Sequence, residues 1–320
     1  MTTTETLAER TSGAALMRGK FETCRTIPKL TSTGYELERD SDALGWFTDS
    51  SPLLSDRGAL HARMQRDGYL FLPGLLDREK VLTVRSDVLD RMAAAGHLAP
   101  GTDPADAIPA EAYDRKFQPE LARDNEILQH VLYAGPMMAF FRMFLGEEVR
   151  HFDYTWFRAV PPGAGTASHC DVVYMGRGTS RLYTAWTPMG DIPLETGGLM
   201  ILEGSNNNDR LRQTYCKTDV DTYCSNRNET PATQNTGVLS TNPVQLRKAL
   251  GGRWLTTDYR AGDVLIFTTY TVHASLDNGS GRIRLSSDSR YQPAADIADE
   301  RWIGEKPIGH SQAGKRGRIC

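Results

Sequence analysis

The feature that most limits the folds open to this chain is a change of texture at residue 148. Beyond it the sequence breaks into short β-type runs at 149–157, 182–186, 198–202, 254–257, 264–267 and 284–286, separated by Gly, Pro and Asn. Many short strands with turn punctuation call for a sandwich or a closed barrel, since one such strand cannot bury its apolar face alone. Before 148 the pattern is helical. Ser55-Asp56 is a start signal ahead of Leu60 and Met64, residues 68–73 read as a strand, and Val81, Leu82, Val88, Leu89 and Met92 recur at helical spacing up to about Ala95. A second helical block runs from about Pro119 to Leu145, broken at Gly135-Pro136. The expectation is one mainly β domain over residues 55–300, with helical support from about 77 to 145 on an outer face. Residues 1–54 read as a partly irregular arm, and 301–320 as a tail whose basic end, Lys315 to Arg318, is a solvated terminus. The polar stretch 205–252 reads as a lid-like insertion near the mouth of the barrel.

Charge excludes some partners. With 37 Lys and Arg against 40 Asp and Glu in 320 residues, the net charge of −3 gives no electrostatic case for nucleic acid or an acidic membrane. No apolar run approaches the ~20 residues needed to span a bilayer. The first residues lack the basic-then-apolar order of a signal peptide, so a soluble cytoplasmic protein is expected. Cys24, Cys170, Cys216, Cys224 and Cys320 are odd in number and scattered, which fits reduced thiols better than a disulfide framework, with Cys216–Cys224 the one pairing considered.

The chemistry centres on residues 271–291. They read as a strand carrying His273, a tight turn at Asn278 to Gly281, and a returning strand that sets Arg282 and Arg284 beside the histidine. A search for partners finds His169-Cys170-Asp171. On a strand, residues two apart share a face and stand about 6.6 Å apart, so His169 and Asp171 converge while Cys170 points away as a packed thiol. Two histidines and a carboxylate with open positions form the arrangement used by non-haem Fe(II) oxygenases. His151-Phe152-Asp153 has the same spacing, and spacing alone does not separate the two triplets. Arg284 offers a planar fork of donors that would grip a dicarboxylate co-substrate. The plainer reading is that Arg282 and Arg284 cap the sheet surface.

Together these segments resemble the phytanoyl-CoA dioxygenase group of Fe(II)/2-oxoglutarate-dependent oxygenases. The resemblance runs from about Asp67 to Pro293. It takes in residues 66–74, the Pro161-Pro162-Gly163 turn, Ala185 to Met189, Glu195 to Leu199 with Glu203-Gly204-Ser205, Gly262-Asp263, His273 to Ser275, and Arg284. It implies a double-stranded β-helix, a jelly-roll or cupin-like barrel. It also implies His169, Asp171 and His273 as ligands of Fe(II), in preference to His151. Arg284 would pair with the distal carboxylate of 2-oxoglutarate, with Ser275, Trp186, Trp156 and Lys116 as further co-substrate contacts and O2 as the second co-substrate. The implied reaction is hydroxylation of a small-molecule metabolite with release of succinate and CO2; desaturation, epimerisation or cyclisation are other outcomes. Asp171 fills the position that halogenating relatives leave to halide. Tyr174, Arg177, Arg181 and Asn206 to Asn208 are candidate substrate contacts. Two competing readings remain at this stage: a cupin-type metalloenzyme that does not use 2-oxoglutarate, and a non-catalytic ligand-binding barrel.

Overall fold

The structure, a computed structural model, describes residues 27–226 and 236–320. Its helices begin where side chains can satisfy free N–H groups. Asp56 accepts a hydrogen bond from Ala59 N at 2.9 Å and opens the helix Arg57–Asp67. That helix stops at Gly68, where φ is +78° and a Cβ would lie 2.6 Å from Asn206, so both conformation and space require glycine. Asp77 caps Arg78–Ala94, which buries Val81, Val84, Val88, Leu89 and Met92. The next block divides into Glu126–Tyr133, capped by Asn125, and Gly135–Leu145, with Pro136 in its first turn, where the missing N–H costs nothing.

In chain order the strands are β1 (Thr31–Ser32), β2 (Tyr35–Glu36), β3 (Leu44–Trp46), β4 (Tyr69–Leu72), β5 (Val149–His151), β6 (Trp156–Val160), β7 (Tyr183–Pro188), β8 (Leu199–Leu202), β9 (Thr222–Cys224), β10 (Trp254–Thr256), β11 (Val264–Thr268), β12 (His273–Ser275), β13 (Arg284–Pro293) and β14 (Arg316–Arg318). The larger sheet runs β4-β11-β7-β13-β5, with β6 also on β13, and the smaller runs β12-β8-β10-β3. The strict two-residue alternation decides what each layer holds. On the larger sheet Phe157, Ala159, Ala185, Ile266, Leu285 and Tyr291 face the helices and form one core with them. The inner faces of the two sheets meet through Tyr69, Phe71, Trp186, Ile201, Leu255, Tyr259 and Phe267. Each fully buried side chain of this size contributes about 1.5–3 kcal/mol relative to exposure.

Several expectations need correction. The segment 271–291 is not a hairpin. β12 pairs with β8 and β13 with β6, β7 and β5, so the two strands lie in opposite sheets. Residues 276–283 carry the chain across the barrel, from Leu276 in the core behind the smaller sheet to Ile283 in the helix-side core. Asn278 is buried and donates to Val160 O at 3.0 Å and Arg282 O at 2.7 Å, so it pins a crossover where a tight turn over Asn278 to Gly281 was expected. The run 149–157 is two strands, β5 and β6. Part of the 1–54 arm joins the barrel, since β3 pairs in parallel with β10.

The 205–252 segment, described except for 227–235, covers the outer face of the smaller sheet with Leu211, Cys216, Val220 and Leu246. The tail is ordered against it: β14 pairs with β9, and Lys315 donates to the buried Asp221 at 2.6 Å. Cys224 and Cys320 form a disulfide, while Cys170 and Cys216 are buried free thiols; Cys24 lies outside the described residues. Expecting only reduced thiols was therefore wrong. Ninety-six residues separate the bonded pair, and only the fold brings them together. Among the described residues no helix is long and apolar enough to cross a membrane.

Candidate active site

The site starts from a backbone pairing. His169 and His273 form an isolated antiparallel bridge, each N–H donating to the other's carbonyl at 3.0 Å. This sets the two imidazoles side by side, with ring centroids 4.2 Å apart. Nδ1 of His169 lies 2.8 Å from Ala167 O and Nδ1 of His273 lies 3.0 Å from Thr271 O. A carbonyl can only accept, so both Nδ1 atoms carry the proton and both Nε2 lone pairs remain available.

Asp171 arrives differently from expectation. The chain leaves the bridge after His169, and Asp171 has helical φ and ψ as the residue ahead of the short helix Val172–Met175. Its Oδ1 nevertheless lies 3.7 Å from His169 Nε2 and 3.6 Å from His273 Nε2. Its Oδ2 accepts from Thr184 Oγ1 at 2.5 Å and Arg290 Nη2 at 2.9 Å, which fixes the carboxylate plane. Cys170 does pack away from the site, in the core behind the smaller sheet.

All three side chains are buried, and one ligand atom from each lies within 4.8 Å of the others. Donors about 2.1 Å from an octahedral ion stand about 3 Å apart on neighbouring corners, so a divalent ion fits after a small contraction. Burial, and then His273, push His169 down to about 3, which keeps it neutral. Burial would raise the Asp171 carboxyl, but Arg290 and the two histidines hold it well below the usual carboxylate range. Two neutral imidazoles and an ionised carboxylate are the protonation states that metal binding requires.

A second set of groups lies deeper on the inner face of the larger sheet. Arg284 is buried on β13, its Nη1 donates to Gly197 O, and its Nε has no hydrogen-bond partner among the described residues. Desolvation pulls its guanidinium down to about 10. Trp186 Nε1 and Ser286 Oγ are likewise buried without partners among the described residues. Alternation puts Trp186 on the face of Thr184, and Ser286 on the face of Arg284, Asp288 and Arg290. Buried orphan donors are costly, and a small dianion reaching from the metal ligands toward Arg284 would satisfy them.

The other expected residues are placed as follows. Ser275 is buried, with Oγ accepting from Thr166 N at 2.8 Å. Trp156 lies under the Arg290 guanidinium, 4.2 Å from ring centroid to Cζ. Lys116 is exposed, its Nζ 3.3 Å from Gly165 O. His151 stacks on Tyr133 at 4.1 Å and Asp153 accepts from Gly304 N, so the rival triplet takes no part in the ligand group. A cavity of about 270 Å³ opens over His169 and Asp171, walled by Trp156, Arg158, Tyr174, Arg290 and His310 among others. Of the expected substrate contacts only Tyr174 lines it. Arg177 is tied to Asp219 and Glu300, Arg181 to Asp296 and Glu147, Asn206 and Asn207 bond Gln65 O, and Asn208 caps a helix.

Sequence reasoning missed Thr184, Arg158, Asp288 and Arg290. A signal existed in β13, where Arg284, Ser286, Asp288 and Arg290 put a polar group at every second position. His310 had no such signal.

Residues 64–286 match the family described as Phytanoyl-CoA dioxygenase (PhyH). A 1-deoxypentalenic acid 11-beta-hydroxylase of Streptomyces arenae is 29% identical over 276 residues, covering 80% of this chain and 88% of the relative. Its counterpart from Streptomyces exfoliatus is 28% identical over 267 residues, with the same coverage. Among solved structures, EctD from S. alaskensis with 2-oxoglutarate and 5-hydroxyectoine has a TM-score of 0.54 at 16% identity, over 93% of this chain and 97% of that one. SnoK, a non-heme alpha ketoglutarate dependent carbocyclase from nogalamycin biosynthesis, has a TM-score of 0.55 at 16% identity, over 82% and 91%. At these identities the structural likeness establishes the fold, a double-stranded β-helix.

Proposed function

This chain belongs to the phytanoyl-CoA dioxygenase family, and from that premise we propose an Fe(II)- and 2-oxoglutarate-dependent oxygenase that hydroxylates a small-molecule metabolite. The observation that carries the reading is the convergence of His169 Nε2, His273 Nε2 and Asp171 Oδ1, backed by a buried arginine, Arg284, that has no carboxylate partner among the described residues. In this reading His169, Asp171 and His273 hold ferrous iron. Arg284 receives the distal carboxylate of the keto acid, with Trp186 Nε1 and Ser286 Oγ as further donors; Ser275 and Trp156 flank the site and Lys116 stands at its edge. When bound, iron with the keto acid and dioxygen would supply the oxidising equivalents for hydroxylating a substrate C–H bond. One oxygen atom goes to the substrate and the other to succinate, as the keto acid loses CO2.

The protein's own part is placement and exclusion. Thr184 and Arg290 keep Asp171 turned toward the two Nε2 atoms, and the Nδ1 bonds to Ala167 and Thr271 keep both imidazoles in the tautomer that could ligate a metal. The apolar wall, with Trp156, Met175 and Val238, holds the substrate and keeps water out. Hydroxylation is preferred to epimerisation or ring closure because the relatives that align over most of their length are named as hydroxylases. Their stated substrate is a carboxylic acid, which favours a biosynthetic metabolite here. A cytoplasmic setting, which supplies ferrous iron and the keto acid, goes with this reading.

The test is a metabolite library screened for substrate-dependent succinate release from the iron-loaded protein. The reading predicts succinate stoichiometric with a product heavier by one oxygen. Turnover of a metabolite without 2-oxoglutarate would contradict it.

A further inference from the structure

The charged side chains gathered around the metal ligands on the inner face of the larger sheet carry one more positive charge than the proposed reaction uses. Alternation puts three guanidiniums, those of Arg158, Arg284 and Arg290, on the inner face of the larger sheet together with Asp288, and of the three Arg158 and Arg290 line the cavity. Arg290 Nη2 bonds Asp171 at 2.9 Å and Arg158 Nε bonds Asp288 at 2.8 Å, whereas Arg284 donates to the Gly197 carbonyl and forms no ion pair among the described residues. A ferrous ion and the dianion of 2-oxoglutarate cancel each other in charge, so binding both leaves a single positive charge uncompensated. Uncompensated charge in a water-poor site is costly, and a substrate anion would remove that cost.

The groups available to meet such an anion can be named. Arg290 is buried, with one edge given to Asp171 and its face against Trp156. Arg158 lines the cavity and its side chain is 23% exposed. Its Nη atoms have no hydrogen-bond partner among the described residues, because Nε alone serves Asp288. The only carboxylate among the described residues lining the cavity is Asp171, which is committed to the metal, and Phe117, Trp156, Met175 and Val238 make much of the remaining wall apolar. Resting on the oxygenase reading, we propose that the substrate is an apolar body bearing one carboxylate, and that Arg158 is its anchor. The planar fork of Arg158 suits a carboxylate, and an anchored acid group fixes which C–H bond stands over the ligand group.

The test uses the full chain loaded with zinc in place of iron and saturated with 2-oxoglutarate. The probes are 4-(trifluoromethyl)cyclohexanecarboxylate and the matching primary alcohol, titrated by fluorine NMR. The acid is expected to bind at least about tenfold more tightly than the alcohol, the size of one charge-assisted hydrogen bond. Arg158→Gln should erase that preference, and Arg158→Lys should keep part of it, which separates lost charge from lost fold. Equal binding of acid and alcohol, or no binding of either, overturns the proposal. So does displacement of 2-oxoglutarate by the acid, which would assign Arg158 to the keto acid. If the zinc-loaded wild type takes up no 2-oxoglutarate, the oxygenase reading itself has failed and this inference falls with it.

Discussion

The floor and the far wall of the cavity are held by different forces. On the floor, His169 and His273 are fixed by reciprocal main-chain bonds at the β12 edge of the smaller sheet, and Asp171 by one hydroxyl and one guanidinium. The wall around His310 is held by side-chain charge. Asp221, wholly buried, lies 2.5 Å from Arg301 Nη1, 2.7 Å from His310 Nδ1 and 2.6 Å from Lys315 Nζ. Arg301, also wholly buried, adds Asp299 and Asp219. Three distant stretches of chain, at 219–221, 299–301 and 310–315, thus meet at one carboxylate, with the Cys224–Cys320 bond beside them. The contrast is that main-chain pairing sets the two imidazoles, with one hydroxyl and one guanidinium fixing Asp171, whereas the wall at His310 depends on an ion cluster alone. If the two are independent, the wall can be altered while the ligand group keeps its function.

Perturbing each region in turn sharpens or breaks that contrast. Arg284→Ala has the largest expected effect of the substitutions: loss of a buried charged pair costs about 4 kcal/mol, or roughly a thousandfold in the apparent affinity for 2-oxoglutarate. Metal content should stay near one ion per chain, and steady-state kinetics with metal analysis reads both. Next comes Asp221→Asn, which sets Arg301, Lys315 and the His310 ring against a neutral amide. Breaking such a buried cluster costs about 3 kcal/mol of stability, visible in urea unfolding. Uptake of metal and 2-oxoglutarate should survive; if it fails in step with stability, floor and wall are one unit and the contrast is false.

The same cluster makes a pH prediction. Burial would raise the Asp221 carboxyl, but His310, Lys315 and Arg301 hold it well below the usual carboxylate range. Its contribution is therefore fully present above about pH 4, the unfolded carboxylate value, and is lost as pH falls below that. In acid titrations the Asp221→Asn protein should lack this part of the wild-type stability loss. The smallest expected effect is that of Trp186→Phe. It keeps the apolar wall and removes one donor, worth about 1 kcal/mol or roughly fivefold in 2-oxoglutarate affinity.

The two regions also differed in how far they could be read from the chain. Turn punctuation and alternation gave a sandwich or barrel, while the choice of the His169 triplet over His151 and the role of Arg284 came from the family resemblance, because spacing alone fits both triplets and does not tell which face of the strand is buried. The route between His273 and Arg284 was misread. Asn278-Gly279 looks like a hairpin turn, and only the two cores behind Leu276 and Ile283 reveal a crossover. Asp171 was reached by a wrong path, since a strand was expected where the chain bends into a short helix. Asp221, Arg301, His310 and the Cys224–Cys320 pair left no local trace, because nothing in a sequence window records an ion cluster or a bond closed across ninety-six residues.

The central claim is that His169, and not His151, carries the metal. Anaerobic titration of the protein with Fe(II) and 2-oxoglutarate tests it through the weak visible charge-transfer band of the iron–keto acid complex. The wild type and His151→Ala are predicted to show the band and His169→Ala to lack it. A band that persists in His169→Ala, or disappears in a folded His151→Ala protein, would contradict the account.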